Sequence, residues 1–181
     1  GLRDDASWFE YPRAIFTGIN DRAAAWVAYG QSEIMGVRLT PEGALRLFSP
    51  PLRTYHNSFL NVDEFLSTQS LEIIDQVVDA NTAQERLRLI DTFLLHKIRH
   101  KALEINYFTE ALRIIRYHET LNISDLGKMV YVCNRQLQRT FRNTLGITPK
   151  GYHKVIRLYK AHQLGLLRAE NFTEIAGCLG Y

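Results

Sequence analysis

Four polar side chains in the second half of the chain have a spacing that suits recognition of base pairs. They are Arg135, Gln138, Arg139 and Arg142, at i, i+3, i+4 and i+7. A helix over 134–145 would gather them on one face. An arginine can donate two hydrogen bonds to guanine, and a glutamine can pair in a similar way with adenine. The predicted chemistry is therefore the reading of base edges in the major groove of duplex DNA.

The opposite face of the same predicted helix is mostly apolar. It carries Leu137, Phe141, Thr144 and Leu145, at i, i+4, i+7 and i+8. A shorter helix is predicted upstream, where Asn122 caps it and a tight turn follows it. The pattern predicts a helix-turn-helix whose second helix packs through its apolar back and presents its polar front to DNA.

The charge distribution favours the same kind of partner. The chain has a net charge of +3, but residues 1–100 hold 10 basic against 13 acidic residues, and residues 101–181 hold 12 against 6. Between Lys128 and Arg168 there are nine basic residues and no acidic one. A run of charge often marks only a solvated face. Because this run coincides with the two-faced helix, we interpret it as a surface for a polyanion.

Other chemistry finds little support in the sequence. His96, His100 and Glu104 have the spacing of one helix face, but the segment lacks the glutamate of a zinc-protease motif, so an exposed polar stripe is the preferred interpretation. No Ser-His-Asp grouping, glycine-rich phosphate loop or catalytic carboxylate pair is recognisable. We therefore expect no enzyme activity, no catalytic residue, no metal and no cofactor.

The bulk properties indicate an ordinary globular protein. A length of 181 residues suffices for one large domain or two small ones, and 46% of the residues are hydrophobic. Cys133 and Cys178 lack metal-ligand spacing, which favours a reducing, cytoplasmic setting. No apolar run approaches the roughly 20 residues that a membrane-spanning helix needs, and no secretory signal pattern opens the chain.

The first hundred residues predict a small sheet followed by helices. Short strands are expected at 8–11, 14–18, 25–29 and 31–39, which would make a sheet of three or four strands, with turn chemistry at 40–43. Helices are expected around 44–48, 63–66 and 71–78, and after the capping box that begins at Thr82. Five aromatic residues of this part line either a core or a ligand pocket, and core is the commoner outcome: Trp8, Tyr11, Phe16, Trp26 and Tyr29.

The remaining residues predict only helices. Asn106 begins one helix, Asn122 caps the next, and Thr148-Pro149 places a cap and a proline at the start of a helix that runs to about 168. A last short helix is expected from Phe172 onwards. The predicted fold class is α+β, with the domain boundary near residue 102.

Several motifs in the second half resemble the DNA-binding region of the AraC/XylS family of bacterial transcription regulators. The first motif reads Arg135-Gln-Leu137-Gln-Arg139-Thr-Phe141. Downstream, Gly146-Ile-Thr-Pro149 is similar to the start of the family's linker helix, and Phe172-Thr-Glu-Ile-Ala176 to the first half of its second helix-turn-helix. Gly36-Val-Arg-Leu-Thr-Pro-Glu-Gly43 resembles the end of a cupin-like sensor domain found in one branch of the family.

The resemblance implies a partial cupin-like sensor and dimerisation domain at 1–101 and a DNA-binding domain at 102–181 whose second motif is incomplete. It places base contacts on Arg135, Gln138 and Arg139. We assign phosphate contacts to Arg142, Lys150 and Lys154, the last two near the start of the 149–168 helix. The resemblance also implies double-stranded DNA as partner, control by a small-molecule effector, a homodimer, contact with RNA polymerase, and a bacterial cytoplasmic location at the nucleoid.

Three residues depart from the family pattern near the predicted turn. Gly127 replaces a packing alanine, which costs about 1 kcal/mol in helix propensity. Tyr131 stands where glycine is usual, so a left-handed backbone there would be strained. Cys133 replaces the usual capping hydroxyl and is a poor substitute for it. These changes weaken the motif without altering its polar front.

Two alternative functions stay open on the sequence. In the first, the basic helical half docks on an acidic protein, such as a polymerase subunit. In the second, the N-terminal sheet carries a small-molecule or metal-binding enzyme, which nothing in the composition favours. DNA reading is the preferred hypothesis because the apolar back, the turn and the basic surroundings all agree with it.

Overall fold

A computed structural model of the chain describes residues 10, 12–23, 25, 27, 30–47, 52–64, 68–99, 105–118, 121–168 and 177. Within these ranges the protein is mostly helical, with seven α-helices and one two-stranded antiparallel sheet, as expected of an α+β protein. The chain divides into two compact units. The first comprises residues 1–50 and 57–103, and the second comprises residues 51–56 and 104–181.

The sheet of the first unit pairs two short strands that are distant in sequence. Strand β1 (Ile15–Thr17) runs antiparallel to β2 (Phe59–Asn61), with Phe16 opposite Leu60. The predicted strand at 14–18 is confirmed. Strand β2 was not predicted, because three residues are too few to show an alternating pattern.

The predicted strand at 31–39 is wrong. Residues 32–40 form neither strand nor helix, and Ile34 and Val37 are 79% and 48% exposed. A strand is stable only when a neighbour satisfies its backbone groups, and no described segment pairs with this one. The expected sheet of three or four strands is therefore reduced to two in the described ranges. The expected strand at 25–29 is described only at residues 25 and 27, which are not in a strand.

Of the predicted aromatic cluster only Phe16 lies inside the described ranges, where it is half-buried.

Three helices of the first unit lie within the described ranges. Helix α1 (Pro41–Leu47) begins where a turn was predicted, because Thr40 caps it by accepting a hydrogen bond from the Gly43 amide at 3.1 Å. Helix α2 (Thr68–Asp79) is followed by α3 (Ala83–Ile98), whose capping residue Thr82 accepts from the Glu85 amide at 3.2 Å, as predicted. The apolar pattern of this helix predicts Leu87 on its buried side, but the side chain is 54% exposed. The helix expected at 63–66 is a 3-10 turn over Val62–Glu64 in the described residues.

In the described part of the second unit there are four helices, most of whose bounds follow the predicted caps. Helix α4 (Tyr107–Tyr117) has Asn106 and Thr109 in a reciprocal capping box. A 3-10 turn over Ile123–Asp125 leads into the short α5 (Leu126–Met129). Helix α6 (Asn134–Leu145) and the long α7 (Pro149–Arg168) follow. The predicted short helix after Phe172 lies outside the described residues, apart from Gly177.

The core of the second unit is centred on Phe141. Its ring is fully buried, meets Phe108 of α4 edge-on at a centroid distance of 5.0 Å, and lies 6.1 Å from the ring of Tyr152 in α7. Leu112 and Leu126 are also fully buried. One aromatic side chain on the back of α6 therefore joins three helices.

A 3-10 turn from the first half of the sequence also belongs to the second unit. This inserted turn, Leu52–Tyr55, contacts α6, and its Leu52 and Tyr55 side chains are buried. Burial raises the pKa of the Tyr55 hydroxyl above its ordinary value of 10.0. At the end of α6, Gly146 adopts a φ of +83°, and a Cβ added to it would lie 2.7 Å from the Cβ of His56. Glycine is thus required here twice, by the backbone conformation and by the space.

Candidate nucleic-acid interface

Helix α6 separates apolar and polar side chains on opposite faces. Leu137, Phe141 and Leu145 are 2%, 0% and 1% exposed, which confirms the predicted back of the helix. The side chains predicted to contact DNA from this helix all lie at exposed positions: Arg135, Gln138, Arg139 and Arg142. In the described part of the chain, no acidic side chain forms an ion pair with the three arginines. The front of α6 is therefore a surface of guanidinium and amide donors.

Contacts at its back and end fix the position of α6. The Tyr107 hydroxyl of α4 and the Thr140 hydroxyl of α6 form a hydrogen bond of 2.8 Å. Gly146 ends the helix in the left-handed conformation, and its amide donates to the Arg142 carbonyl at 3.0 Å. A reading helix must be held rigidly against its scaffold, because side chains can match base edges only if the backbone is fixed.

The turn between α5 and α6 has the hydrogen bonds of a Schellman motif. The Val132 amide donates to the Gly127 carbonyl at 2.9 Å, and the Tyr131 amide donates to the Lys128 carbonyl at 3.2 Å. The motif needs a left-handed residue at its centre, and Tyr131 occupies that position with a φ of +57°. A tyrosine pays roughly 1–2 kcal/mol for this conformation, which a glycine would avoid. The strain predicted at this position is present.

Asn134, at the start of α6, ties the two helices together. Its side-chain amide donates to the Ser124 carbonyl at 3.0 Å. Its carbonyl oxygen fills the space beside Gly127, where an added Cβ would collide with it and would lie 2.7 Å from the Val132 carbonyl oxygen. The sequence alone is compatible with Asn134 either contacting the duplex or facing solvent. In the sequence, a glycine at position 127 is the one indication that a neighbouring side chain fills the space where a Cβ would project.

The cap of α6 is weak, as the sequence predicted. Cys133 has the extended backbone of an N-cap residue, but its side chain accepts no hydrogen bond from the first turn. Helix α7 is capped better, because the Thr148 hydroxyl accepts from the Gly151 amide at 3.0 Å.

Lys150 and Lys154, the predicted phosphate contacts of α7, are exposed on its first two turns. Arg157 is half-buried, which agrees with its exclusion from the predicted contacts.

The rival metal site is only partly within the described residues. His96 is exposed near the end of α3, whereas His100 and Glu104 lie outside the described ranges. Among the residues that are described, no group of three His, Cys, Asp or Glu side chains is arranged to hold a metal ion. None of the described helices is both long enough and apolar enough to cross a bilayer.

Comparison with known proteins gives one relevant similarity. A lactose operon transcription activator of Staphylococcus xylosus is 31% identical to the chain over 65 residues. The aligned part is 36% of this chain and 23% of that protein, so the chain matches less than a quarter of the relative's length. No family model and no solved structure matches the chain. The chain is thus similar to part of a transcription regulator.

Proposed function

We propose that this chain is a sequence-specific DNA-binding transcription regulator of the AraC/XylS type. Helices α5 and α6 form a helix-turn-helix in this proposal, and α6 enters the major groove. The observation that carries the proposal is the two-faced α6: its apolar back is buried around Phe141, while Arg135, Gln138 and Arg139 are exposed on its front. The partial similarity to a transcription activator supports the same function.

The exposed side chains divide into two roles. Arg135, Gln138 and Arg139 read base edges, because planar guanidinium and amide groups can make paired hydrogen bonds to guanine and adenine. Arg142, Lys150 and Lys154 neutralise phosphates, which adds affinity without sequence information. The absence of acidic residues between Lys128 and Arg168 supports DNA as the partner, since no carboxylate within that stretch repels the duplex.

The proposal also includes how the regulator is controlled and how it assembles. The first unit acts as a partial sensor that takes a small-molecule effector, the active species is a homodimer, and the DNA-bound form contacts RNA polymerase in the bacterial cytoplasm. These features come from the resemblance to the family and not from a site in the described residues.

The experiment compares Arg139→Ala with Lys150→Ala on two duplexes. One duplex is recovered from a random pool by the wild-type chain, and the other is a scramble of the same composition. Arg139→Ala should cost about 1–3 kcal/mol on the recovered duplex and much less on the scramble. Lys150→Ala should weaken both equally and reduce the slope of log K against log salt by about 0.9.

Arg113→Ala is the matched control, since it removes one positive charge from an exposed position of α4, a helix outside the proposed helix-turn-helix. It should leave the preference between the duplexes unchanged. It should also change the salt slope much less than Lys150→Ala does. Equal losses on both duplexes for Arg139→Ala and Lys150→Ala would contradict the division of roles.

The excess of positive charge also favours a second function, docking on an acidic protein. Selection from a random DNA pool separates the two functions. A chain that enriches no sequence but binds an acidic protein would favour docking.

A further inference from the structure

Tyr131 adopts a backbone conformation that its side chain does not favour. It holds the left-handed position of the Schellman motif with a φ of +57°, where glycine has no steric penalty. Asparagine and aspartate tolerate this region because their short polar side chains bond locally, but a tyrosine has no such compensation. Strained backbone positions of this kind cluster at functional sites.

The Tyr131 side chain is also almost completely exposed. It is 94% accessible, although an aromatic ring in a folded unit usually finds apolar cover. The packing of the second unit therefore gains almost nothing from this ring. Neither folding nor stability accounts for a tyrosine here.

Tyr131 lies in the turn that leads into the proposed reading helix. It stands two residues before Cys133, the N-cap of α6, at the same end of the helix as Arg135. In helix-turn-helix complexes the first residues of the reading helix reach the base edges, so the preceding turn lies next to the rim of the groove. Lys128 on α5 is 84% exposed and lies 3.3 Å from the Asp125 carboxylate, so this ion pair leaves no net charge next to the turn.

We propose that Tyr131 is a DNA-contacting residue whose hydroxyl donates a hydrogen bond to a backbone phosphate at the edge of the major groove. This inference rests on the proposed function of α6. The strained turn holds the ring outward, so that the hydroxyl reaches the phosphate without closing the groove to Arg135. Tyrosine is among the side chains that position proteins on the phosphate backbone.

The test uses the full chain with Tyr131→Phe and Tyr131→Gly, on a duplex recovered from a random pool and on its scramble. Tyr131→Phe keeps the ring and the strain but loses the hydroxyl, so affinity for both duplexes should fall about three- to tenfold with no change in melting temperature. Because the lost group is uncharged, the salt slope should stay the same. Tyr131→Gly should raise the melting temperature by about 2–4 °C and still weaken binding.

Tyr117→Phe is the control, since Tyr117 is a tyrosine 67% exposed at the end of α4. It should bind both duplexes as the wild type does. If the wild type enriches a sequence but both Tyr131 variants bind like the wild type, the phosphate contact is wrong while the function of α6 stands. Loss of binding in Tyr131→Gly alone would also overturn the hydroxyl contact. A wild type that binds no duplex would overturn both proposals.

Discussion

Gly127 and Asn134 share one small space at the junction of α5 and α6. The amide of Asn134 bonds to the Ser124 carbonyl and lies where a Cβ on residue 127 would project. The helix-propensity cost of the glycine is therefore offset by a side-chain bridge that an alanine would displace. At this junction two residues act as a pair, and neither can be interpreted alone.

Replacing Gly127 should destabilise the protein, although alanine is the better helix former. Gly127→Ala gains about 1 kcal/mol in propensity but forces overpacking that costs about 1–3 kcal/mol. The Val132 carbonyl, 2.7 Å from the new Cβ, is backbone and cannot rotate away. Gly127→Ala should therefore unfold at a lower urea concentration than the wild type. The double variant Gly127→Ala/Asn134→Ala should recover part of this loss. A higher midpoint for the single variant would show that the space is not limiting.

At Cys133, in contrast, a substitution should stabilise the protein. Its side chain makes no capping hydrogen bond, although its backbone is already that of an N-cap. Cys133→Ser should therefore stabilise the protein by about 1 kcal/mol, because the hydroxyl can accept from the first turn of α6. Cys133→Ala, which adds no acceptor, is the control and should have little effect. Equal unfolding free energies for the serine and alanine variants would contradict this account of the cap.

At the scale of elements, a hydrogen bond between α4 and α6 adds to their apolar contacts. The Tyr107–Thr140 hydrogen bond, at 2.8 Å, is partly buried. Tyr107→Phe should cost about 0.5–1.5 kcal/mol of unfolding free energy, the usual net value of such a bond. A double-mutant cycle with Thr140→Ala isolates the bond from the lost contacts. Fully additive losses in the cycle would mean that the two hydroxyls do not interact.

Burial of Tyr55 in the inserted turn should make the stability of the protein fall at alkaline pH. Burial raises the pKa of Tyr55 in the folded state, so the folded protein holds this proton more tightly than the unfolded chain. Its contribution to stability is complete below the ordinary pKa of 10.0 and is lost as the pH rises through the higher folded value. Unfolding in urea at pH 9 and at pH 11 should show a larger fall for the wild type than for Tyr55→Phe. An identical fall in both would exclude Tyr55 as the cause.

The helices of the second unit were predictable because their signals are local. The bounds of α4, α6 and α7 follow from Asn106, Gly146 and the Thr148-Pro149 pair, each of which acts within one turn of its own position. The pairing of β1 with β2 and the placement of the inserted turn depend on contacts across many residues, for which the sequence has no local mark. Residues 31–39 show the converse, since an alternating pattern without a partner does not make a strand.

At the scale of the whole molecule, the excess of positive charge coincides with the proposed reading surface. The basic excess lies in residues 101–181, and the exposed arginines of α6 lie within it. The placement of these side chains was predictable from their period. The bridge of Asn134 was not, because it depends on how closely α5 approaches α6.

Selection of bound duplexes from a random pool by the full chain tests the central claim most directly. We expect one short sequence to be enriched, and we expect Arg139→Ala to relax the choice of base at one position of that sequence while leaving the others intact. A recovered pool with the composition of the starting pool, under salt conditions where the chain binds duplex DNA, would contradict the claim that the front of α6 reads bases.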